Sequence, residues 1–291
     1  MKKIAVISKS AMSAFHRLPA EKLSVGPNQH LSYSKVAPTT PAASNNAFTF
    51  VCVAGLGETR YTFRHLAPLL AQAGHTVYMV DLRGMGDSST TFSSYSVEDN
   101  TSDLEALLVT IGGKVVLVGN SFAAACIVLV KSSNVVGSMI LGPFVRDMPG
   151  VGAKIFSVIA PLMFARPYGV GMWMSYWKTL FSAQAPDFDE YANYLKSKMQ
   201  EEGRLHALRQ LLKASKANAG NHLGEYKLPI LIGMGSLDPD FSSPEAEAQY
   251  IHDTIGSTVK QVVMYPNVKH YPQTECPDAV AADLIKFLDR L

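Results

Sequence analysis

The segment KVVLVGNSFAAACIVLV, residues 114–130, constrains the fold of this chain more than any other. Val115–Val118 is a β-branched run with one leucine and reads as a strand buried on both faces. Phe122–Val130 carries three alanines and is apolar throughout, so it reads as a buried helix. Only Gly119-Asn120-Ser121 separates the two. A strand that turns so sharply into a helix projects its corner side chain outward, and here that side chain is a serine hydroxyl on a rigid base.

Similar alternation runs along most of the chain. KLSVGPNQHLSYSKV (22–36) reads as two short strands around a Gly-Pro-Asn turn. AFTFVCVAG (47–55) is a strand, followed by the helix-like FRHLAPLLAQAG, which Gly74 ends. HTVYMVD (75–81) is a strand, LRGMGDSSTTFSSYS a long loop and VEDNTSDLEALLVTIG a helix. Further strands are expected in VVGSMILGPF, YKLPILIGMGSLDPD and TVKQVVMY, and PDAVAADLIKFLDRL forms a closing amphipathic helix. Strands alternating with helices predict an α/β fold: a mostly parallel central sheet with helices on both faces. The alternation fails over 145–225, a span rich in Met, Phe, Trp and Tyr with helical tendency. The expected organisation is an N-terminal extension (1–21), an α/β core (22–144 and 226–291) and a helical insertion (145–225) over the strand ends.

Composition narrows the functional classes. An apolar share of 47% and a charged share of 17% suit a chain with a sizeable core. A net charge of +2 without a basic run offers nothing to nucleic acid. The best membrane candidate, IFSVIAPLMFA (155–165), is short, broken by Pro161 and bounded by Lys154 and Arg166, so no membrane span is expected. Cys52, Cys126 and Cys276 are too few and odd in number for a disulfide framework, and no metal-binding spacing is present. The expectation is a cytoplasmic protein, monomer or homodimer, acting on a small molecule without metal or organic cofactor. The acid-poor start leaves a targeting segment open.

In an open α/β sheet ligands sit at the carboxyl ends of the strands. Gly55-Leu56-Gly57, Asp81, Ser121, Asp238 and His270 each follow a strand end. A serine hydroxyl is a weak nucleophile until a base takes its proton and a third group orients that base. Of eight histidines, His270 alone falls between a final strand and a terminal helix; His65 and His206 lie in helical patterns and His75 opens a strand. Asp238 is the candidate orienter, with Asp240 and Asp147 as alternatives. The order Ser, Asp, His is that of the nucleophile-elbow enzymes.

With these residues in view, the chain resembles the α/β-hydrolase-fold family from about residue 22 to its end. VAGLGETRYTFRHLAPLLAQAGHTVYMVDLRGMGDSS is similar to the family's early segment, VGNSFAA to its elbow, and GSLDPDF and VKHYPQTECPDAVAADLIKFL to its acid and histidine segments. The resemblance implies Ser121 as nucleophile, His270 as base, Asp238 as orienter, and the Leu56 and Phe122 N–H groups as oxyanion hole. It places residues 145–225 as a cap or lid. Two positions depart from the family pattern. Ala123 replaces the last elbow glycine, adding one methyl where the corner is crowded. Ala54-Gly55 stands where His-Gly is frequent, which leaves backbone donors intact.

Within the insertion, packing accounts for most of the aromatic residues, and Phe144, Trp173 and Trp177 are the candidates for lining a substrate pocket. The implied activity is hydrolysis of an ester-like bond through an acyl-enzyme, with acyltransferase, thioesterase, lactonase, carbon–carbon hydrolase and cofactor-free haloperoxidase chemistry open. Two rival readings exist. One is a ligand receptor on the same fold. The other is a nicotinamide-dependent reductase, suggested by Gly55-x-Gly57, Asp81 and Tyr194-x-x-x-Lys198, but Arg60 stands where the third glycine of that fingerprint belongs.

Overall fold

A computed structural model of the protein describes residues 15–41, 47–148, 159 and 162–291. Eight strands form one sheet: β1 (Glu21–Gly26), β2 (Gln29–Val36), β3 (Thr49–Val53), β4 (Thr76–Val80), β5 (Val115–Asn120), β6 (Val135–Leu141), β7 (Ile230–Gly235) and β8 (Lys260–Tyr265). Their spatial order is β1-β2-β4-β3-β5-β6-β7-β8. From β4 across to β8 every pairing is parallel, while β1 and β2 add an antiparallel edge.

All six residues of β5 and all six of β7 are buried. Strand side chains alternate between faces, so full burial requires cover on both. The helices α1 (Leu66–Gln72), α2 (Val97–Ile111) and α3 (Ala123–Leu129) follow β3, β4 and β5. α2 starts on a capping box, Ser96 with Asp99. Between β6 and β7 the described residues include the helices α4 (Gly169–Thr179), α5 (Phe188–Gln200), α6 (Arg204–Lys213) and α7 (Ala217–His222), which interrupt the alternation. No strand lies there among the described residues, as expected. Of the 145–225 span, residues 149–158, 160 and 161 lie outside the described set, as do 1–14 of the N-terminal extension.

The remaining helices are α8 (Pro244–Thr254), α9 (Pro272–Glu275) and α10 (Pro277–Phe287), with α1 packed against α10 and α8 against β7 and β8. α8 is the element that the alternation pattern leaves unassigned. Its start was nevertheless encoded: Ser243 caps the Ala246 N–H, Pro244 follows, and Glu245 and Glu247 fill the first turn.

Chain order reverses at β3, which has β4 on one side and β5 on the other. A crevice opens at such a reversal, outside the carboxyl ends of the strands. Here Val53 of β3 sits in register with Gly119 of β5, so the loops after both strands meet at that point. Behind them the loop after β4 is fixed by a buried ion pair. Asp81 accepts from the Arg60 backbone N–H at 2.6 Å and from its guanidinium, with side-chain exposures of 0% and 1%. Arg60 also reaches Asp87 at 2.8 Å. A buried acid answered this way has no carboxylate left for a ribose. Lys198, in turn, is paired with Asp87 and Glu201, both at 2.6 Å. Asp81 and Lys198, two of the residues that suggested a reductase, thus join through Arg60 and Asp87 in one structural network.

Removing Arg60 would strand the Asp81 charge in the core. Arg60→Ala should lower the urea-unfolding free energy by about 3–5 kcal/mol, and Arg60→Ala/Asp81→Ala should recover part of that loss. Equal or greater destabilisation of the double variant would show that packing, not charge, dominates there.

Candidate active site

Ser121 occupies the corner between β5 and α3 with φ of 56°, in the left-handed region that non-glycine residues rarely adopt. The corner is held from both sides. The Ser121 N–H donates to the Leu141 carbonyl at 2.9 Å, and its own carbonyl accepts from Phe144 N at 3.2 Å and Ala124 N at 3.0 Å. The small-residue requirement has direct causes. A Cβ on Gly119 would lie 2.5 Å from Ile127 Cδ1 and 3.2 Å from the Ala123 backbone carbon. One on Gly55 would lie 3.0 Å from Ser121 Cβ. Ala123 itself is fully buried, so its extra methyl is accommodated.

His270 follows β8 and is 2% exposed. Its Nδ1 lies 2.7 Å from Asp238 Oδ2, whose side chain has no exposure. With Nδ1 turned to this carboxylate, Nε2 is the nitrogen left to serve another group. Burial pulls the imidazole pKa down, but Asp238 and then Asp240 outweigh it and hold the group up at about 9. Asp240 Oδ2 stands 3.7 Å from the same Nδ1. Asp147, the other carboxylate that sequence left open, is elsewhere: it accepts from Ser215 Oγ at 2.6 Å and Lys216 N at 2.8 Å, at the start of α7.

The loops carrying Ser121 and His270 are tied together by Asn120. Its Nδ2 donates to the Leu141 carbonyl at 3.0 Å and to the His270 carbonyl at 3.2 Å. Gly142 is wedged beside them with φ of 51°; a Cβ there would meet His270 Nδ1 at 3.1 Å and Asp238 Oδ2 at 3.2 Å. Phe144 is half-buried, stacks on Phe241 at 4.7 Å and lies 6.1 Å from the His270 ring. The structure therefore gathers Ser121, Asp238, His270 and Phe144 at the ends of β5, β6, β7 and β8.

The loop after β3 closes the remaining side. Ala124 and Ala125 donate to Ser121 O and Phe122 O, so the first-turn N–H of Phe122 precedes the helical ladder. Leu56 sits opposite, between Gly55 and Gly57. Trp173 of α4 packs on this loop, its Nε1 donating to the Gly57 carbonyl at 3.0 Å. A Cβ on Gly57 would come within 2.0 Å of the indole. Trp173 is 2% exposed and Trp177 fully buried, so both are packed side chains rather than presented ones. Trp177 stacks on Phe188 at 5.1 Å.

Sequence reasoning passed over Glu58. It is 1% exposed and follows Gly57 directly. Its carboxylate accepts from Trp177 Nε1, from the Tyr191 hydroxyl and from Thr59 N at 3.3 Å. Burial pushes its pKa up to about 7 against the pull of these donors. Its partners lie more than a hundred positions along the chain, beyond any local pattern.

One hollow adjoins this arrangement and another lies well away from it. An apolar one of about 450 Å³ is lined by Met163, Phe164, Met172 and Tyr176 among others, and Tyr176 connects it to Asp240 through a hydroxyl–carboxylate hydrogen bond. A more polar one of about 600 Å³ involves Glu98, Lys131 and Val135. Val135 begins the strand that Leu141 ends, which sets this hollow about 20 Å from the Ser121 corner. Among the described residues, Asp238, Asp240 and His270 form the one group of three His, Cys, Asp or Glu side chains whose polar atoms all lie within 4.8 Å of each other. No helix of the described residues is long and apolar enough to cross a membrane.

A family model described as the alpha/beta hydrolase family matches residues 50–283. Solved structures with the same fold include a bromoperoxidase from Bacillus anthracis (TM-score 0.76, 19% identity, covering 93% of this chain and 99% of that one). A thermophilic esterase from Thermogutta terrifontis gives a TM-score of 0.74 at 18% identity, covering 94% of this chain and 98% of that one. An esterase from Exiguobacterium antarcticum gives 0.73 at 16%, covering 90% and 96%. No curated protein matches in sequence.

The Glu58 environment makes stability depend on pH. An acid whose folded pKa lies above its unfolded value of 4.5 holds its proton more tightly when folded. Its stabilising effect is complete below about pH 4.5 and falls as pH rises to about 7, by about 3 kcal/mol in all. Glu58→Gln cannot ionise. Urea unfolding at pH 5 and pH 7.5 should therefore differ less in the variant than in the natural protein, and an unchanged difference would remove Glu58 as its source.

Proposed function

The chain belongs to the alpha/beta hydrolase family, and on that premise we propose that it is a serine hydrolase cleaving an ester-like bond of a small, largely apolar substrate through an acyl-enzyme. The observation that carries this reading is the 2.7 Å contact of His270 Nδ1 with buried Asp238, set beside a serine at a left-handed strand–helix corner. Ser121 Oγ attacks the carbonyl carbon while His270 Nε2 takes its proton. Asp238 holds the tautomer and stabilises the imidazolium. The Leu56 and Phe122 N–H groups receive the oxyanion, each contributing about 3–4 kcal/mol to the transition state. His270 returns the proton to the leaving alkoxide, and water repeats the sequence to release the acid. Asp238 is preferred to Asp147 because only the former is within reach of the imidazole.

The insertion supplies the apolar character. We assign the role of cap to residues 145–225 and that of acyl or alcohol subsite to the 450 Å³ hollow beside α4, which the Tyr176–Asp240 hydrogen bond joins to the loop after β7. Esterases stand among the solved structures of the same fold, which agrees with this class of substrate. The reduced thiols Cys52, Cys126 and Cys276 agree with a cytoplasmic setting.

A fluorophosphonate should label the protein at Ser121, and Ser121→Ala should abolish labelling and lower kcat on p-nitrophenyl esters by about 10⁴-fold or more without unfolding the protein. Failure to label, with tight binding of an apolar ligand, would favour a receptor. With His270 at about 9, only about one molecule in a hundred carries a neutral base at pH 7, so kcat/KM should rise nearly tenfold per pH unit towards pH 9 and then level.

A chain-length series tests the subsite. Each methylene that fits should raise kcat/KM by about fourfold, or about 0.8 kcal/mol. Met172→Trp should shorten the acyl chain at which the gain stops. A flat series from acetate to octanoate would sink the apolar subsite and leave a small polar or cyclic substrate.

A further inference from the structure

We propose that Asp240, held by Tyr176 of α4, is a second positioning carboxylate for His270, able to take over the Nδ1 proton when Asp238 is lost. The inference rests on the serine-hydrolase reading for its consequence in catalysis, though not for its effect on the imidazole.

Three observations place Asp240 in this role. First, its Oδ2 lies 3.7 Å from His270 Nδ1, the same nitrogen that Asp238 engages at 2.7 Å. A rotation of the imidazole or of the Asp240 side chain by about 1 Å would make this contact a hydrogen bond. Second, the two acids are coupled: the Asp240 N–H donates to Asp238 Oδ1 at 3.0 Å, so the turn that aims one carboxylate aims the other. Third, Asp240 is not free to swing into solvent. Its side chain is 14% exposed, and the Tyr176 hydroxyl donates to Oδ1, leaving Oδ2 turned to the histidine. The backbone contact to Asp238 is what a turn alone would give, but the approach of Oδ2 to the imidazole and the Tyr176 bond to Oδ1 are not.

The charges around the ring agree with the geometry. The groups facing His270 are Asp238 and Asp240 from the loop after β7, Glu58 from the loop after β3, and Tyr271 and Tyr176 from the neighbouring aromatic packing. Burial, with the Asp238 charge adding to it, leaves the Asp240 pKa above its ordinary value, while the His270 cation and the Tyr176 hydroxyl draw it part of the way back. Tyr176 therefore supplies Asp240 with a donor that favours its ionised form. Because Tyr176 also lines the apolar hollow, whatever fills that hollow touches the donor that steadies the second acid.

The experiment is an NMR titration of the His270 ring in histidine-labelled protein, paired with the pH dependence of inactivation by a fluorophosphonate. The variants are Asp240→Asn, Asp238→Asn, the double variant, Tyr176→Phe and Asp240→Glu. Asp240→Asn should lower the His270 titration midpoint by about one pH unit or more, with the inactivation profile moving by the same amount. Tyr176→Phe should move it in the same direction by less, and Asp240→Glu should restore it. Asp238→Asn should retain at least about tenfold more inactivation rate than the double variant. An unmoved titration in Asp240→Asn, or a double variant no slower than Asp238→Asn, overturns the proposal. Absence of inactivation in the natural protein would instead overturn the hydrolase reading, while the ring titration would still decide the placement of Asp240. A folding defect in the asparagine variants is separated by Asp240→Glu, which keeps the charge and must restore the natural midpoint for the proposal to stand.

Discussion

The left-handed backbone at Ser121 is the constraint around which the neighbouring parts are arranged. A non-glycine residue at φ of 56° persists only where its surroundings over-determine it. Here the flanking sheet does so. β6 supplies the Leu141 carbonyl to the serine N–H, and Asn120, the last residue of β5, pairs in register with that same Leu141. The crowding then propagates. Gly119, Ala123 and Gly55 must be small, β5 must be central and buried on both faces, and the loops of β3 and β6 must pass close by. A strained corner of this kind cannot be built on an edge strand, where only one neighbour would hold it.

Charge is handled in two different ways around that corner. Behind it, Arg60 and Asp81 neutralise each other with virtually no exposure and fix the loop after β4. At the site itself the balance is left acidic. His270 faces Asp238 and Asp240, and the charge of Glu58 on the loop after β3 acts on it in the same direction. A surplus of carboxylates around one imidazole stabilises its cation, the species formed when a base accepts a proton. The cost falls on the resting state, in which the base is mostly already protonated at neutral pH. Burial opposes that tendency, so the depth of the site and its acid content act against each other on the same group.

Much of this was legible in the sequence, for reasons that differ by residue. Ser121 was readable because a β-branched run, a small-residue corner and an alanine-rich run sit side by side, so the signal is local. Asp238 and His270 were readable because strand ends can be located and because the order of the three residues is informative. The sequence favours Asp238 but keeps Asp240 as an alternative, because two carboxylates two positions apart occupy one turn; their distances from His270 Nδ1 are 2.7 Å and 3.7 Å. Glu58 and Asn120 escaped because their meaning lies in partners far along the chain, Trp177 and Tyr191 for one and His270 for the other. Composition singles out Trp173 and Trp177 as pocket-lining candidates, but composition cannot tell a wall from a wedge. That distinction depends on exposure, 2% and 0% here. The helix Pro244–Thr254 was encoded by its cap alone, with little apolar periodicity to announce it.

The insertion is joined to the core through the same loops that carry the chemistry-bearing residues. Within α4, Trp173 bonds the Gly57 carbonyl, Tyr176 bonds Asp240 and Trp177 bonds Glu58. Just beyond its end, the Leu180 carbonyl accepts the His270 N–H at 3.1 Å. One helix and the residue that follows it thus contact the loops after β3, β7 and β8. These contacts are directional hydrogen bonds from buried groups, so they fix position rather than merely fill space. A consequence follows for any change in this helix. Displacing α4 by even a fraction of an ångström moves donors on three loops together, and the loops are themselves held by strained or crowded backbone that cannot deform smoothly. The hollow beside α4 and the carboxylate pair at His270 are therefore linked in this protein: the same Tyr176 side chain lines the one and bonds Asp240 of the other.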